Sequence, residues 1–159
     1  MKNYRIVAGL SAKFSLLVIC LFLFGTTNLI SQIQISTVAQ FESIGVPGSG
    51  FPLNGNYELM NDIGPVTQMV AGVFTGNFNG NGNRITVNIN SPAAANVGLF
   101  SQISGGLVEN LNIEGAVSGG QNSQNVGSLV GLISGTLRFI TNFSNVTGFW
   151  GVSSVGGIA

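Results

Sequence analysis

From residue 97 the chain repeats itself at a nearly constant spacing. The Val97-Gly98 step recurs at Val126-Gly127 and again at Val155-Gly156, two equal intervals. Ile103-Ser104-Gly105 returns as Ile133-Ser134-Gly135 and Leu107 as Leu137, each one position later than that interval predicts. Val117-Ser118-Gly119 returns as Val146-Thr147-Gly148, back on the original spacing. The second copy therefore holds a one-residue insertion, Ser128, and a later one-residue deletion. A fixed period of about 29 residues marks stacked units, each burying its apolar side only against its neighbours. Like residues should then form columns: Val97, Val126 and Val155; Ile103 and Ile133; Leu107 and Leu137.

The units read as short strands joined by turns. Arg84-Ile-Thr-Val-Asn-Ile89 alternates strictly, with Ile85, Val87 and Ile89 on one face, and is the clearest strand in the chain. Tyr57–Met60 reads as a shorter strand, with Asn61–Pro65 as a turn after it. Phe74–Phe78 alternates apolar with small or polar residues. Asn79–Asn83 is a turn, because Asn and Gly tolerate positive φ. Leu107, Glu109, Leu111 and Ile113 share one parity, and Glu109 in that row predicts a bend or bulge nearby. Leu137, Phe139, Thr141 and Phe143 are expected to share a side. About three strands per coil, each coil adding a rung of roughly 4.8 Å by parallel pairing, account for the period. An antiparallel sandwich is the competing all-β arrangement, but its strands need no identical residues at one long spacing.

One helix is expected. Thr37 with Gln40 three residues on forms a capping box, Val38, Phe41 and Ile44 make the apolar stripe, and Gly45 with Pro47 ends it. Its expected task is to cover the first rung of the stack, whose open end would otherwise leave apolar surface and unpaired backbone.

Residues 1–31 differ from the rest. Lys2, Arg5 and Lys13 lead into the apolar run Phe14–Phe24, and small or polar residues follow. This is the pattern of a secretory signal cut near Ser31, the alternative being an uncleaved anchor, for which the run is short. Cys20 follows Ile19 rather than a small residue, so it reads as part of the apolar run and not as a lipid-attachment point. Removal of this segment leaves Arg84 and Arg138 against Glu42, Glu58, Asp62, Glu109 and Glu114, a net charge of −3. Such a chain has no electrostatic footprint for nucleic acid. It also has no Cys left to form a disulfide.

Catalytic and metal-binding arrangements find little material. There is no His, so Ser-His-Asp and Cys-His constellations are excluded within this chain, and zinc sites built from His or Cys are excluded with them. Glu109 and Glu114, five apart in a strand pattern, tend to opposite faces, which does not suit paired-carboxylate glycoside chemistry. Asn79-Gly-Asn-Gly-Asn83 offers neutral carbonyls and no carboxylate, so turn chemistry explains it better than calcium. Asn142-Phe-Ser144 and Asn145-Val-Thr147 match glycosylation sequons but read as ladder and turn residues. Trp150 beside Phe149 is expected to pack at a coil corner, the other reading being a sugar-stacking platform.

Val126-Gly-Ser-Leu-Val-Gly131, with Ser134-Gly135, Val146-Thr-Gly148 and Val155-Gly-Gly-Ile158, resembles the GLUG repeat of large bacterial surface and secreted proteins. Phe74–Gly82 with Ile85, and Tyr57-x-Leu59 with Asn61-Asp62-Ile63, are similar to the segments that precede such repeats. The first copy departs from the pattern by lacking the second glycine. The resemblance implies a right-handed parallel β-helix in an adhesin-like, haemagglutinin-like or protease-associated surface protein, and a scaffold that carries no catalytic residues.

The expected protein is therefore all-β: a right-handed parallel β-helix, or β-solenoid, with coils of about 29 residues and a short N-terminal capping helix. The expected organisation is signal peptide 1–31, cap helix and loop 32–56, first coils 57–96, and repeats 97–159 with the third copy barely begun. The expected function is a non-catalytic secreted or cell-surface scaffold, adhesin-like or structural. It has no catalytic, cofactor or metal residues and no membrane contact after signal cleavage. Its partners would be host-surface or matrix glycans or proteins, and further coils of the same solenoid. The alternative is the N-terminal scaffold of a larger secreted enzyme, a peptidase or carbohydrate-active protein. Residues 32–159 alone are expected to self-associate through the open C-terminal edge.

Overall fold

A computed structural model describes residues 31–159, so the signal-peptide reading, with Lys2, Arg5, Lys13 and Cys20, lies outside the described residues. Eleven strands and one helix follow in order: β1 (Ile33–Ile35), α1 (Val38–Glu42), β2 (Asn56–Leu59), β3 (Ile63–Val66), β4 (Val70–Phe74), β5 (Asn77–Asn79), β6 (Arg84–Ser91), β7 (Asn96–Val97), β8 (Phe100–Gly119), β9 (Asn125–Val126), β10 (Val130–Thr147) and β11 (Ser154–Val155). Every strand pairing among them is parallel. That rules out the antiparallel sandwich and establishes an all-β chain whose curled sheet is made by successive passes lying side by side.

The register follows the repeat. Val97 lies beside Val126 and Val126 beside Val155, as the columns predict. Ile133 lies beside Ile103, and Val146 beside Val117. The third expected column is corrected: Leu137 lies beside Val108, and Leu107 beside Thr136. The cause is the one-residue deletion, which falls where Gly105-Gly106 in one pass faces the single Gly135 in the next and shifts the register between Ser134 and Thr136. The repeat spacing also does not extend upstream. Ile33 pairs with Tyr57 and Tyr57 with Phe78, so both of those passes are shorter than the later ones. From Val70, which lies beside Phe100, and Phe78, which lies beside Val108, the passes reach the length of the repeats.

The glycine of the Val-Gly step has a steric origin. A Cβ on Gly98 would lie 2.8 Å from the Val130 Cα, and one on Gly127 would lie 2.8 Å from the Ile158 carbonyl oxygen. Adjacent passes approach too closely there for any side chain.

The interior is a continuous cluster of apolar side chains, one contribution per alternate strand residue. Ile85, Val87 and Ile89 of β6 are buried, as their alternation predicts. Aromatic rings gather beneath α1. Phe41 meets Phe78 edge-on at 5.7 Å between ring centroids and Phe100 at 5.9 Å, while Phe74 and Phe100 lie 5.0 Å apart. Thr37 and Gln40 cap α1 reciprocally, and its Phe41, with Ile44 just beyond its end, is buried in the cluster. Among the described residues β10 pairs only with β8. Its inward residues Ile133, Leu137, Ile140 and Val146 are accordingly half-buried.

Two other expectations are corrected. Ile63, Gly64 and Pro65 are not a turn but part of β3, held by parallel pairing of Ile63 with Ile85 and Val66 with Val87. Leu137, Phe139, Thr141 and Phe143 do not share a side. Phe139 has φ +53°, which resets the alternation, so Leu137 and Ile140 turn inward while Phe139 and Phe143 are exposed. The same left-handed residue stands one pass earlier as Asn110, also at φ +53°. It supplies the bend that Glu109 predicted and puts Val108, Leu111 and Ile113 inside.

Candidate functional site

With the apolar residues inside, chemistry is confined to the outward columns. These are laddered across passes. Asn77 Nδ2 donates to Asn56 Oδ1 at 2.7 Å, Asn110 Nδ2 to Asn79 Oδ1 at 3.1 Å, and Asn125 Nδ2 to Asn96 Oδ1 at 2.8 Å. Ser134 donates to Ser104 at 3.1 Å. Stacked amides of this kind extend the backbone ladder with side-chain hydrogen bonds. Among the described residues, no buried side-chain nitrogen or oxygen lacks a partner.

The Asn79–Asn83 turn uses its amides within the turn and on the passes beside it. Asn79 Oδ1 accepts from the Asn81 backbone N–H at 2.9 Å as well as from Asn110, and Asn83 Nδ2 donates to the Leu59 carbonyl at 2.8 Å. Turn chemistry therefore accounts for these residues. Of the two sequons, Asn142 is engaged with the Gly157 carbonyl and accepts from Ser144 N–H and Oγ, whereas Asn145 is exposed.

The charged residues pair across passes. Arg84 spans two carboxylates, reaching Asp62 at 3.1 Å and Glu114 at 3.3 Å, and its backbone N–H donates to Asp62 Oδ1 at 2.8 Å. Thr86 Oγ1 donates to the second Glu114 oxygen at 3.0 Å. Arg138 pairs with Glu109 at 2.5 Å. Arg84, Asp62 and Glu114 are partly solvated, so each Arg84 pair contributes no more than about 1 kcal/mol, whereas Glu109 is the more buried partner of its pair. Glu109 and Glu114 do not lie on opposite faces as expected. Both point outward, because Asn110 resets the alternation between them, and each is held by its own arginine. Among the described residues, no group of three or more acidic, His or Cys side chains is placed to hold a metal ion.

Depressions open on the surface of the described residues. One, of about 500 Å³, lies along the Gly/Pro loop from Gly45 to Leu53. Another, of about 330 Å³, is lined by Asp62, Gly82, Arg84, Asn112, Glu114 and Phe143. Here β6, β8 and β10 set charged, amide and aromatic side chains in neighbouring columns: Arg84 lies beside Asn112 and Asn112 beside Thr141, while Thr86 lies beside Glu114 and Glu114 beside Phe143. Asn112 Nδ2 is tied to the Gly82 carbonyl at 2.7 Å. The Phe143 ring is 74% exposed. Trp150 does not pack at a corner; it is 95% exposed, with Phe149 half-exposed beside it.

The sequence reading assigns no residue to this depression. A signal for it is nevertheless present, since Arg84 and Glu114, like Glu109 and Arg138, are separated by one repeat length. Opposite charges at the repeat distance face each other across a rung.

No helix of the described residues is long and apolar enough to cross a membrane. No family model matches the chain, and no solved structure matches it. One similarity is found, to Halomucin of Haloquadratum walsbyi (strain DSM 16790 / HBSQ001), 34% identical over 90 residues, which is 55% of this chain and 1% of Halomucin. The chain thus spans about 1% of the length of the protein it resembles there.

Proposed function

We propose that this chain is a segment of a non-catalytic, exported β-solenoid scaffold, adhesin-like or structural, wound as a right-handed parallel β-helix with coils of about 29 residues in its repeat region. The observation that carries the reading is the column Val97, Val126, Val155 with its flanking Asn96–Asn125 amide ladder. A unit that pairs with the preceding copy of itself, residue for residue, makes a stack that lengthens by repetition and needs only its own side chains at its centre.

Three further points support it. Repeats similar to GLUG units belong to surface and secreted proteins. The basic and apolar pattern of residues 1–31, that of a secretory signal, agrees with export. The arginines are committed to carboxylates outside the core, where they lend register rather than reactivity. In this reading residues 1–31 direct export. Beyond Val130, whose N–H donates to the Ile158 carbonyl, the second edge of β10 pairs with no strand among the described residues, and a further coil of the same repeat would fit there. The partners are glycans or proteins of a host surface or matrix.

Protease treatment of intact producing cells, followed by immunodetection of residues 32–159, tests the placement. Loss of the signal from intact cells, or its presence in the medium, is expected; a protected cytoplasmic pool refutes export. An experimental structure with left-handed or unclosed coils refutes the architecture.

A further inference from the structure

We propose that the depression formed by Asp62, Arg84, Asn112, Glu114 and Phe143 is a binding subsite for an uncharged glycan. It rests on the scaffold reading for the choice of partner, and on its own geometry for the chemistry. Four observations point to sugar.

The first is the pairing of an aromatic face with fixed polar groups. Phe143 offers a ring that is 74% exposed at one end of the depression, a surface on which the C–H face of a pyranose can lie. Glu114 occupies the next position in the same column, one rung away at about 4.8 Å, where ring hydroxyls can reach its carboxylate.

The second is preorganisation. Arg84 is clamped between Asp62 and Glu114, Glu114 is also held by Thr86, and Asn112 is tied to Gly82. These side chains have already lost much of their freedom, so less is lost when a ligand arrives.

The third is charge. Two carboxylates against one guanidinium leave the depression acceptor-rich, which disfavours phosphates, uronic acids and other anions, and suits hydroxyl donors. A hard cation would have to displace Arg84 from both carboxylates, and among the described residues no group of three or more acidic side chains is placed to replace it.

The fourth is backbone. The strands that carry its polar groups, β6 and β8, are paired on both sides, so an extended peptide finds no free edge beside Arg84, Asn112 or Glu114, and the second edge of β10 lies only at the Phe143 rim. The volume, about 330 Å³, is at the lower end for ligand pockets and suits one or two sugar rings.

The experiment is saturation-transfer NMR with the full chain in a sugar-free detergent. The probes are neutral oligosaccharides of glucose, galactose and mannose, with an oligogalacturonate as the anionic comparison. Millimolar binding of at least one neutral oligosaccharide is expected, stronger than that of the oligogalacturonate. Phe143→Ala should weaken it about tenfold, as should Glu114→Gln, while Trp150→Ala leaves it unchanged. Phe143 is exposed, so its replacement leaves the fold intact, which far-UV circular dichroism checks. Absence of binding to all three neutral sugars overturns the proposal. Binding that survives Phe143→Ala, or that is lost only with Trp150→Ala, overturns the site, and stronger binding of the oligogalacturonate overturns the ligand class. None of these outcomes bears on export or on the winding of the coils, so this proposal and the scaffold reading fail separately.

Discussion

Phe139 should be a site where removing an aromatic ring stabilises the protein. It holds φ +53°, a conformation that costs most L-residues about 1–2 kcal/mol and that Asn adopts readily. One pass earlier the equivalent place is filled by Asn110, at the same angle. The ring offers little in return. It is 76% exposed, so its burial contributes about 0.5 kcal/mol, and the Arg138 guanidinium 6.0 Å from its centroid adds about 0.5 kcal/mol at an exposed position. Phe139→Asn exchanges these terms for relief of the backbone and should be stabilising by about 0.5 kcal/mol. Phe139→Leu loses the ring and keeps the backbone cost, so it should be mildly destabilising. The two variants should differ by about 1–2 kcal/mol, which is several degrees in Tm for a domain of this size. Guanidinium unfolding followed by far-UV circular dichroism, with m unchanged, reads this difference directly. An Asn variant no more stable than the Leu variant would refute the argument that backbone strain dominates at this position.

Other perturbations probe the rest of the fold. Phe41→Ala removes the ring that α1 packs edge-on against Phe78 and Phe100, and should cost about 3–5 kcal/mol in denaturant unfolding; a cost below about 1 kcal/mol would mean that the helix does not seal the core. Gly98→Ala places a methyl 2.8 Å from the Val130 Cα and should cost about 1–3 kcal/mol, whereas Gly48→Ala, with open space around it but φ +78°, should cost only the backbone term; equal losses in the two variants would count against close approach of the passes. Burial pushes the Tyr57 hydroxyl up to about 12 from its usual 10.0, and it donates to the Pro52 carbonyl. Its neutral form is favoured by folding, so its contribution is fully present below pH 10.0 and lost as pH rises towards 12. Thermal unfolding across that range should show a steeper decline for the natural chain than for Tyr57→Phe, and equal slopes would contradict the assignment.

Much of the architecture is legible in the sequence because stacking leaves a periodic trace. The Val-Gly spacing predicts which valines lie side by side, the alternation of Arg84–Ile89 predicts its buried face, and Thr37 with Gln40 predicts the start of α1. Two of the expectations that fail do so because of register and alternation. Matching Leu107 to Leu137 assumes that identical residues align, whereas the deletion at Gly135 has already moved the register by one. Placing Phe139 and Phe143 with Leu137 assumes unbroken alternation, whereas one left-handed residue changes the side on which every later residue falls. The coils upstream of the repeats are invisible to the period, because the passes from Ile33 to Tyr57 and from Tyr57 to Phe78 share no spacing with the later ones.

Residue type and spacing alone dictate the repeat, its valine column, the parallel stacking that such a column requires, and the want of a histidine for acid–base or zinc chemistry. Which outward side chains meet is a property of the folded chain: Arg84 bridges Asp62 and Glu114, Asn112 and Phe143 complete the same depression, and Trp150 stands in solvent rather than in a corner. The difference arises because a column fixes neighbours across rungs, whereas the direction of each side chain along a pass depends on where the backbone bends. At Asn110 and Phe139 that bend lies in a backbone angle; Glu109 out of parity signals the first, whereas nothing in the residue spacing marks the second.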